Sequence, residues 1–264
     1  MNGGIKLQIK TACLQLEITE EQSKEERIEL VLQEMDKARG CELIVLPELW
    51  NVNFLDYSAY HRESEKLSGR TISRLAEKAA EIDSFVHAGS IVEETEDGYY
   101  NTSVLLDNRG EVLATYRKLH LFGYQSREAE LLKPGQQIVT VETPLGRLGL
   151  ATCYDIRFPE FFRRMQEEGA EILLVCAAWP FPRLSHWQIL NRARAIENIS
   201  YLVAVNCAGS FQEHRYAGHS MIIDPWGTVT AGSDYHPGTV RGEIDRDKLQ
   251  HIRKAFPVLT DRRM

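Results

Sequence analysis

Two features are absent from this sequence: a membrane-spanning segment and a basic tract. The longest apolar run covers only residues 172–182 and contains two prolines, so it is too short to cross a bilayer. The formal net charge is −7, and the acidic residues are spread along the chain, which argues against a nucleic-acid surface. Residues 1–10 also lack a signal-peptide core and cleavage site. We therefore expect neither a membrane nor a nucleic acid as a partner.

Clustered cysteines are absent as well. The five cysteines are odd in number, well separated and without a Cys-x-x-Cys pair, at positions 13, 41, 153, 176 and 207. This spacing argues against a zinc ribbon and against a disulfide framework. His214 and His219 have a spacing that fits no standard metal site. We expect a protein of the reducing cytoplasm that needs no metal and no organic cofactor.

The first half of the chain alternates strand-like and helix-like patterns. Thr19, with Gln22 three residues later, has the pattern of a capping box before a helix that Gly40 ends. An apolar stripe at helical spacing follows that cap, at Ile28, Val31, Leu32, Met35 and Ala38. A second helix is expected at residues 71–82. Strands are expected at residues 5–16, 43–46, 85–93, 100–107 and 112–116.

The second half repeats this order of elements. One helix is expected from Pro159, and another at residues 185–198 with an apolar stripe at Ile189, Ala193 and Ile196. Strands are expected at residues 138–142, 147–152, 172–176, 201–207, 221–223, 228–231 and 239–244. Two halves of the β-α-β-α-β-β kind can pack sheet on sheet with their helices outside. We therefore predict an α/β fold, a four-layer αββα sandwich in one domain of residues 1–264, with residues 255–264 as a C-terminal arm.

Three chemically useful side chains each follow a predicted strand, namely Glu48, Lys118 and Cys153. The carboxyl ends of strands are where α/β proteins form their sites. Taken singly, Glu48 fits a structural acid, Lys118 an exposed lysine at a strand end, and Cys153 a packed thiol. Together they supply the base, the cation and the nucleophile that thiol-based amide hydrolysis needs.

The order of these residues resembles that of the nitrilase superfamily of carbon–nitrogen hydrolases. The matching segments are residues 46–49, 116–122, 153–160, 192–198 and 218–227. The resemblance covers nearly the whole chain and implies the same αββα fold. It also implies assembly as a homodimer or as a larger set of dimers.

The resemblance implies a role for each matching residue. Glu48 resembles the general base, Lys118 the residue that stabilises the tetrahedral intermediate, and Cys153 the nucleophile that forms a thioester. The backbone N–H of Tyr154 resembles the second donor to the oxyanion. The substrate is then a small amide, which is cleaved to ammonia and a carboxylic acid.

The family also has a second glutamate in the loop that leads to a Pro-Gly pair, here Pro134-Gly135. Glu128 lies at the usual distance from that pair, and we take it as the match. Glu130 is close enough in sequence to be the alternative.

Within the superfamily, residues 153–159 and 177–180 most resemble the ω-amidase branch. That branch hydrolyses the terminal amide of short α-keto acid amides such as 2-oxoglutaramate and 2-oxosuccinamate. The far carboxylate of such a substrate needs a cationic site. Arg157 is a candidate for that site, or it pairs with a structural acid such as Glu197. The candidates for an apolar pocket wall, whose alternative role is core packing, are Trp179, Phe54 and Tyr154.

Other functions are compatible with the same sequence. Another amidase of the superfamily would act on an N-carbamoyl amino acid or an aliphatic amide. A Cys-His thiol hydrolase would use His120 or His219 together with Asn206. A non-catalytic scaffold would have no use for the combination of Glu48 and Lys118 with a thiol.

Overall fold

The first half of the chain alternates strands and helices, as predicted. The computed structural model describes residues 7–263. The strands of this half are β1 (Gln8–Gln15), β2 (Glu17–Ile18), β3 (Leu43–Val45), β4 (Phe85–Thr95), β5 (Gly98–Leu106) and β6 (Val112–Arg117). Its helices are α1 (Lys24–Lys37), α2 (Ala59–Arg62), α3 (Arg70–Ile82) and α4 (Glu128–Leu131). Residues 5 and 6 of the first predicted strand lie outside the described residues.

The second half has the predicted order and several further elements. Its strands are β7 (Thr140–Thr143), β8 (Gly146–Thr152), β9 (Ile172–Ala177), β10 (Tyr201–Asn206), β11 (Ala208–Phe211), β12 (His214–Arg215), β13 (Met221–Ile223), β14 (Val229–Gly232) and β15 (Gly238–Asp245). Its α-helices are α5 (Pro159–Glu167), α6 (Leu184–Asn198) and α7 (Arg246–Ala255). Two 3₁₀ turns cover Cys153–Arg157 and Phe181–Arg183.

Twelve of the strands form two six-stranded sheets that face each other, and β12, β11 and β2 form a small third sheet. The first has the order β15-β1-β3-β4-β5-β6 and the second the order β14-β13-β10-β9-β8-β7. Each has a parallel centre, β1-β3-β4 in one and β8-β9-β10 in the other, with antiparallel strands at both sides. Strands β1 and β4 of the first sheet contact β10 and β9 of the second. With α1 and α3 on one outer face and α5 and α6 on the other, the predicted αββα sandwich is confirmed.

The parallel strands near the centres of the two sheets are buried. Every residue of β3, β9 and β10 is buried, as expected for strands covered on both faces. One apolar cluster fills the space between the two sheets and continues under α5 and α6. A second cluster lies between the first sheet and its helices. Within residues 7–263, every helix falls short of the length and apolarity that crossing a bilayer requires.

The predicted capping box at Thr19 is wrong by one turn. Helix α1 is capped by Ser23, whose hydroxyl accepts from the backbone N–H of Glu26, and the Glu26 side chain accepts in return from Ser23. Gln22 does accept from the backbone N–H of Thr19 at 3.2 Å, but that pair precedes the helix. Both residue pairs have the spacing of a capping box, so the pattern alone could not choose between them.

The apolar stripe of α6 faces outward, contrary to a core role. Ile189 is 64% exposed and Ile196 48% exposed. The buried face instead carries Asn191, Arg194 and Asn198. Each of these polar side chains donates to a backbone carbonyl, on Trp187, Ile156 and Arg194 respectively. Buried polar groups with partners are tolerated, so the helix has two faces that could have packed inward.

The C-terminal part of the chain returns to the first sheet. Strand β15 pairs antiparallel with β1, with Ile244 opposite Ile9. Helix α7, which the sequence analysis did not predict, follows at once and is capped by the Asp245 side chain. Beyond it, Arg262 forms an ion pair with Glu167 at the end of α5.

One buried group gives the fold a specific acid sensitivity. His87 on β4 is fully buried, and its ring nitrogens have no hydrogen-bond partner on another described residue. Burial lowers the pKa of His87 to about 4. The unfolded chain takes up this proton near pH 6.5, so it binds more protons than the folded chain between these values. Stability contributed by neutral His87 is therefore lost as the pH falls below about 6.5.

We expect the free energy of unfolding to fall by about 1.4 kcal/mol for each pH unit between about pH 6 and pH 4.5 because of His87 alone. The His87→Phe variant should lack this part of the slope in urea unfolding curves measured across that range. His251→Gln, which changes an exposed histidine on α7, should keep it. Equal slopes for wild type and His87→Phe would contradict the assignment.

Candidate active site

Glu48, Lys118 and Cys153 lie together where strand ends of the two sheets meet. Glu48 follows β3, Lys118 follows β6 directly, and Cys153 follows β8 directly. The Lys118 Nζ is 2.7 Å from Oε1 of Glu48, and both side chains are fully buried. Cys153 is buried beside them and interacts electrostatically with both. The sheet-on-sheet packing therefore joins residues that lie far apart in sequence.

Glu128, and not Glu130, is the second glutamate at this site. The Lys118 Nζ is 2.9 Å from each carboxylate oxygen of Glu128, which is fully buried at the start of α4. The backbone N–H of Phe122 donates to Glu128 Oε2 at 2.7 Å. Glu130 is 67% exposed and pairs with Arg127. The choice that the sequence left open is resolved by burial.

Asn101 on β5 completes the buried cluster and was not predicted from sequence. Its Nδ2 donates to Oε1 of Glu48 and to Oε1 of Glu128, both at 2.8 Å. The remaining Glu48 oxygen accepts from the backbone N–H of Ala178 at 2.9 Å. Asn101 lies within a predicted strand and belongs to none of the matching segments, so no sequence signal marked it. We name Glu48, Lys118, Glu128 and Asn101 the charge cluster.

The charge cluster sets the protonation of its neighbours. Burial opposes the charged form of Lys118, but the Glu128 and Glu48 carboxylates outweigh it and hold the pKa of Lys118 well above its usual range. Burial and the Glu48 charge raise the pKa of Glu128 against the effect of Lys118. Burial, followed by the Glu48 charge, raises the pKa of the Cys153 thiol well above its usual range, although Lys118 acts in the opposite direction. Cys153 therefore carries its proton at neutral pH.

The backbone at Cys153 is strained and held by its neighbour Asp155. Cys153 has a φ of 47°, in the left-handed region that costs a non-glycine residue roughly 1–3 kcal/mol. The buried Asp155 carboxylate accepts from the backbone N–H of Thr152 at 2.8 Å and from the Tyr116 hydroxyl at 2.7 Å. Its other oxygen accepts from the backbone N–H of His120 at 3.2 Å. Asp155 thus links the turn that carries Cys153 to the segment that carries Lys118.

The histidines of the Cys-His hypothesis have other partners. His120 Nδ1 is 2.7 Å from Asp155, and its ring stacks on Phe158. His219 Nδ1 is 2.7 Å from a backbone carbonyl. Asn206 accepts from the backbone N–H of Trp179 at 2.6 Å. The histidine contacts use Nδ1, and among residues 7–263 neither histidine forms a hydrogen bond with Cys153.

The predicted pocket residues lie at different places around the site. The ring of Phe54 is centred 5.3 Å from the Lys118 Nζ, and the side chain is buried in an apolar core cluster. Tyr154 follows Cys153 directly, and its ring contacts Phe122 and Phe158. Trp179 is also buried in the core, and its indole N–H donates to a backbone carbonyl. Because the Tyr154 and Trp179 rings both lie near the Arg157 guanidinium, we name them, with Phe122 and Phe158, the aromatic wall.

Arg157 lies on this aromatic wall and does not pair with Glu197. Its guanidinium carbon is 4.7 Å from the centre of the Trp179 ring, and its Nη2 is 3.3 Å from His186 Nδ1. Glu197 pairs instead with Arg194 at 2.9 Å, because both lie on α6 three residues apart. Burial lowers the pKa of Arg157, and Cys153 is among the groups that act on it. Among the described residues, no carboxylate lies within ion-pair distance of Arg157.

The site has no cluster suited to a metal. No group of three or more histidine, cysteine, aspartate or glutamate side chains within residues 7–263 could hold an ion. All five cysteines are free thiols and are buried. The arrangement therefore offers a protonated thiol, two carboxylates and one ammonium as its reactive groups.

Comparisons with known proteins place the chain in a family. Residues 10–254 match the family model of the carbon-nitrogen hydrolases. The chain is 36% identical over 264 residues to the 2-oxoglutaramate amidase of Paenarthrobacter nicotinovorans, with 97% of this chain and 90% of that one covered. It is 38% identical over 238 residues to the deaminated glutathione amidase of Bos taurus, covering 85% of this chain and 73% of that one.

A solved structure agrees with these sequence matches. Saccharomyces cerevisiae Nit3, a member of branch 10 of the nitrilase superfamily, superimposes with a TM-score of 0.90 at 27% identity, covering 98% of each chain. The αββα sandwich is thus the fold of a nitrilase-superfamily hydrolase. The chain belongs to the carbon-nitrogen hydrolase family, and it is an enzyme that hydrolyses carbon–nitrogen bonds.

We expect Glu128→Gln to lower kcat at least ~100-fold with little change in KM. The substitution keeps the shape of the side chain but removes one of the two charges that hold Lys118 protonated and in place. Glu130→Gln is the matched control, because Glu130 is exposed two residues further along. Ammonia release at saturating substrate measures the effect, with thermal unfolding as the check on folding. Similar rates for the two variants would rule out the assignment of Glu128.

Proposed function

We propose that this protein is an amidase that cleaves the terminal amide of a short α-keto dicarboxylic acid monoamide such as 2-oxoglutaramate or 2-oxosuccinamate. The observation that carries the proposal is the buried Lys118 ammonium between two carboxylates, with the Cys153 thiol beside it. Thiol-based amide hydrolysis needs this combination of base, cation and nucleophile. The similarity to enzymes named 2-oxoglutaramate amidase supports the choice of substrate.

In the proposed first half-reaction, Glu48 takes the thiol proton as the Cys153 sulfur attacks the amide carbon. Negative charge then develops on the amide oxygen, where the Lys118 ammonium and the backbone N–H of Tyr154 stabilise it. The carbon–nitrogen bond breaks, the nitrogen takes the proton from Glu48, and ammonia leaves. A thioester remains on Cys153.

In the second half-reaction, Glu48 takes a proton from water as the water oxygen attacks the thioester carbon. The carbon–sulfur bond breaks, the sulfur regains a proton, and the carboxylic acid leaves. Lys118 keeps its proton throughout, because the raised pKa of its ammonium makes it a stabilising charge and a poor acid.

The raised pKa of Cys153 bears on the order of events. A thiol with a pKa well above neutrality carries almost no thiolate at rest. Attack therefore requires proton transfer to Glu48 in the same step, as in general base catalysis. This dependence explains why a carboxylate must lie against the sulfur.

The charge next to the pocket supports an anionic substrate. Arg157 lies on the aromatic wall without a carboxylate partner among the described residues, so its charge is available for the far carboxylate of the substrate. An aliphatic amide or an N-carbamoyl amino acid is the alternative. The similarity to an enzyme named deaminated glutathione amidase adds deaminated glutathione to the substrates that should be tested.

We expect 2-oxoglutaramate and 2-oxosuccinamate to give the highest kcat/KM in an ammonia-release screen. The comparison set is succinamate, glutaramate, glutamine, deaminated glutathione, aliphatic amides, N-carbamoyl amino acids and nitriles. Cys153→Ala should release no ammonia, and Cys41→Ala, which changes another buried thiol, should stay active. Glu48→Gln should lose activity at least ~100-fold.

Three outcomes would count against the proposal. Faster turnover of a carbamoyl compound, nitrile or aliphatic amide than of any α-keto acid amide would reject the substrate. Loss of activity in His120→Ala or His219→Ala, with Glu48→Gln still active, would reject the carboxylate base in favour of a Cys-His enzyme. Absence of ammonia release from every compound would support a scaffold.

We also propose that the protein assembles at least as a dimer and acts in the cytoplasm. The outward face of α6 carries Ile189 and Ile196, and Ile196 lies against the loop of Trp226, whose exposed ring contacts Phe256. An exposed apolar patch of this kind is typical of protein–protein contacts. The five free thiols are compatible with a reducing compartment.

In sedimentation velocity at micromolar concentration, we expect wild type to have at least twice the 30.2 kDa mass of the chain. The double variant Ile189→Glu/Ile196→Glu should shift toward the monomer, because like charges would face each other across the contact. Val112→Glu, at an exposed apolar position on β6, is the control and should not shift. A strictly monomeric wild type would overturn the proposal.

A further inference from the structure

We propose that Arg183 is a second specificity-determining residue, which together with Arg157 forms a two-arginine site for the carboxylate and adjacent 2-oxo group of the substrate. The inference rests on the proposed function and adds a residue to it. Arg183 ends the 3₁₀ turn Phe181–Arg183 that follows the Trp179 segment. It lies in none of the segments on which the family resemblance depends.

Neither arginine has a carboxylate partner among residues 7–263, whereas several other arginines of the chain do. Arg117 pairs with Glu93 and Arg194 with Glu197. Arg157 and Arg183 are both partly shielded from solvent but contact only rings and a histidine nitrogen. Removing a guanidinium from water without a counter-charge costs free energy. Two such groups together are therefore suited to an anion from outside the chain.

Contacts through the aromatic wall connect Arg183 with the site. Its guanidinium carbon is 5.4 Å from the centre of the Phe122 ring and 5.7 Å from that of Tyr124. The Phe122 ring is 5.0 Å from that of Tyr154, next to the nucleophile. The backbone carbonyl of Arg183 accepts from the Trp179 indole, over which Arg157 lies.

The two charges interact with each other and with the thiol. Among the causes that act on the pKa of Arg157, the Arg183 charge lowers it and Cys153 raises it, after the larger effect of burial. Arg157 is thus within electrostatic reach of both Arg183 and Cys153. We expect a bound substrate to have its amide carbon at Cys153 and its acid end at the two arginines.

The chemistry of a 2-oxo acid fits two guanidinium groups. Its carboxylate and neighbouring ketone present three oxygens close to one plane, and each guanidinium offers parallel N–H donors. The contact between Arg157 and His186 Nδ1 restrains the first guanidinium. A neutral aliphatic amide has no group for either arginine, so the pair should discriminate between the two classes.

The test compares Arg183→Gln on 2-oxoglutaramate and on butyramide. We expect kcat/KM for 2-oxoglutaramate to fall about 10- to 100-fold, mainly through KM, because a charged hydrogen bond is lost. The value for butyramide should change less than about twofold on the same grounds. Arg183→Lys should restore only part of the loss, because lysine cannot form the bidentate contact.

Arg147→Gln is the matched control for net charge. Arg147 lies near the start of β8 and pairs with Glu142, whereas Cys153 follows the other end of that strand. It should leave both substrates unaffected. An equal loss on 2-oxoglutaramate and butyramide in Arg183→Gln would show a structural role, and no loss on either would show no role. Either result overturns the inference.

A binding measurement separates this inference from the proposed function. The product 2-oxoglutarate is titrated into Cys153→Ala protein by calorimetry, with and without Arg183→Gln. Binding that weakens at least ~10-fold in the double variant supports the two-arginine site, even if 2-oxoglutaramate is a poor substrate. Equal affinities, or no binding to either protein, overturn it.

Discussion

One ammonium between two carboxylates, all without contact to solvent, is the interaction on which the rest of the site depends. Lys118 lies within 2.9 Å of Glu48 and of Glu128, and the exposed fraction of each is 0%. Charges removed from water are tolerated only when they are paired and hydrogen-bonded. Here Asn101 and the backbone N–H of Ala178 supply the further donors. Glu48, Asn101 and Lys118 belong to or follow strands of the first sheet, whereas Ala178 and Cys153 follow strands β9 and β8 of the second. Packing of the two sheets therefore brings the thiol to the charge cluster.

The same cluster connects the fold with the proposed chemistry. Its two carboxylates exceed its one ammonium, so Lys118 keeps its proton and the nearby Cys153 thiol keeps its own as well. Burial first, and then the Glu48 charge, raises the pKa of this thiol, whereas the pKa of an ion-paired cysteine is lowered. In the reaction that we propose, the sulfur therefore becomes nucleophilic as Glu48 accepts its proton. The desolvation that raises the pKa of the thiol also strengthens the effect of Lys118 on a developing oxyanion.

The sequence allowed the fold class to be predicted, and it singled out Glu48, Lys118 and Cys153, which the fold brings together, because strand ends and matching segments are local signals. It could not separate Glu128 from Glu130, since both lie in one helical turn and differ only in the side they expose. Asn101 carried no signal, because its role comes from a contact between strand β5 and two distant glutamates. The stripe of Ile189 and Ile196 had the correct period, but the opposite face of α6 packs inward, and its amide N–H groups donate to backbone carbonyls of the same helix.

Asp155 connects the segment that carries Lys118 with the turn that carries Cys153. One Asp155 oxygen accepts from the Tyr116 hydroxyl and from the backbone N–H of Thr152. The other accepts from the backbone N–H of His120 and lies 2.7 Å from Nδ1 of the same histidine. His120, two residues after Lys118, thereby supports the segment that carries the lysine. The same carboxylate holds the strained turn at Cys153, so it sets the positions of ammonium and thiol relative to each other. Glu48 has no such bridging role, because its oxygens accept from Lys118, Asn101 and the backbone N–H of Ala178 inside the charge cluster. One buried carboxylate thus fixes the frame of the site, and the other is the one that we propose as the base.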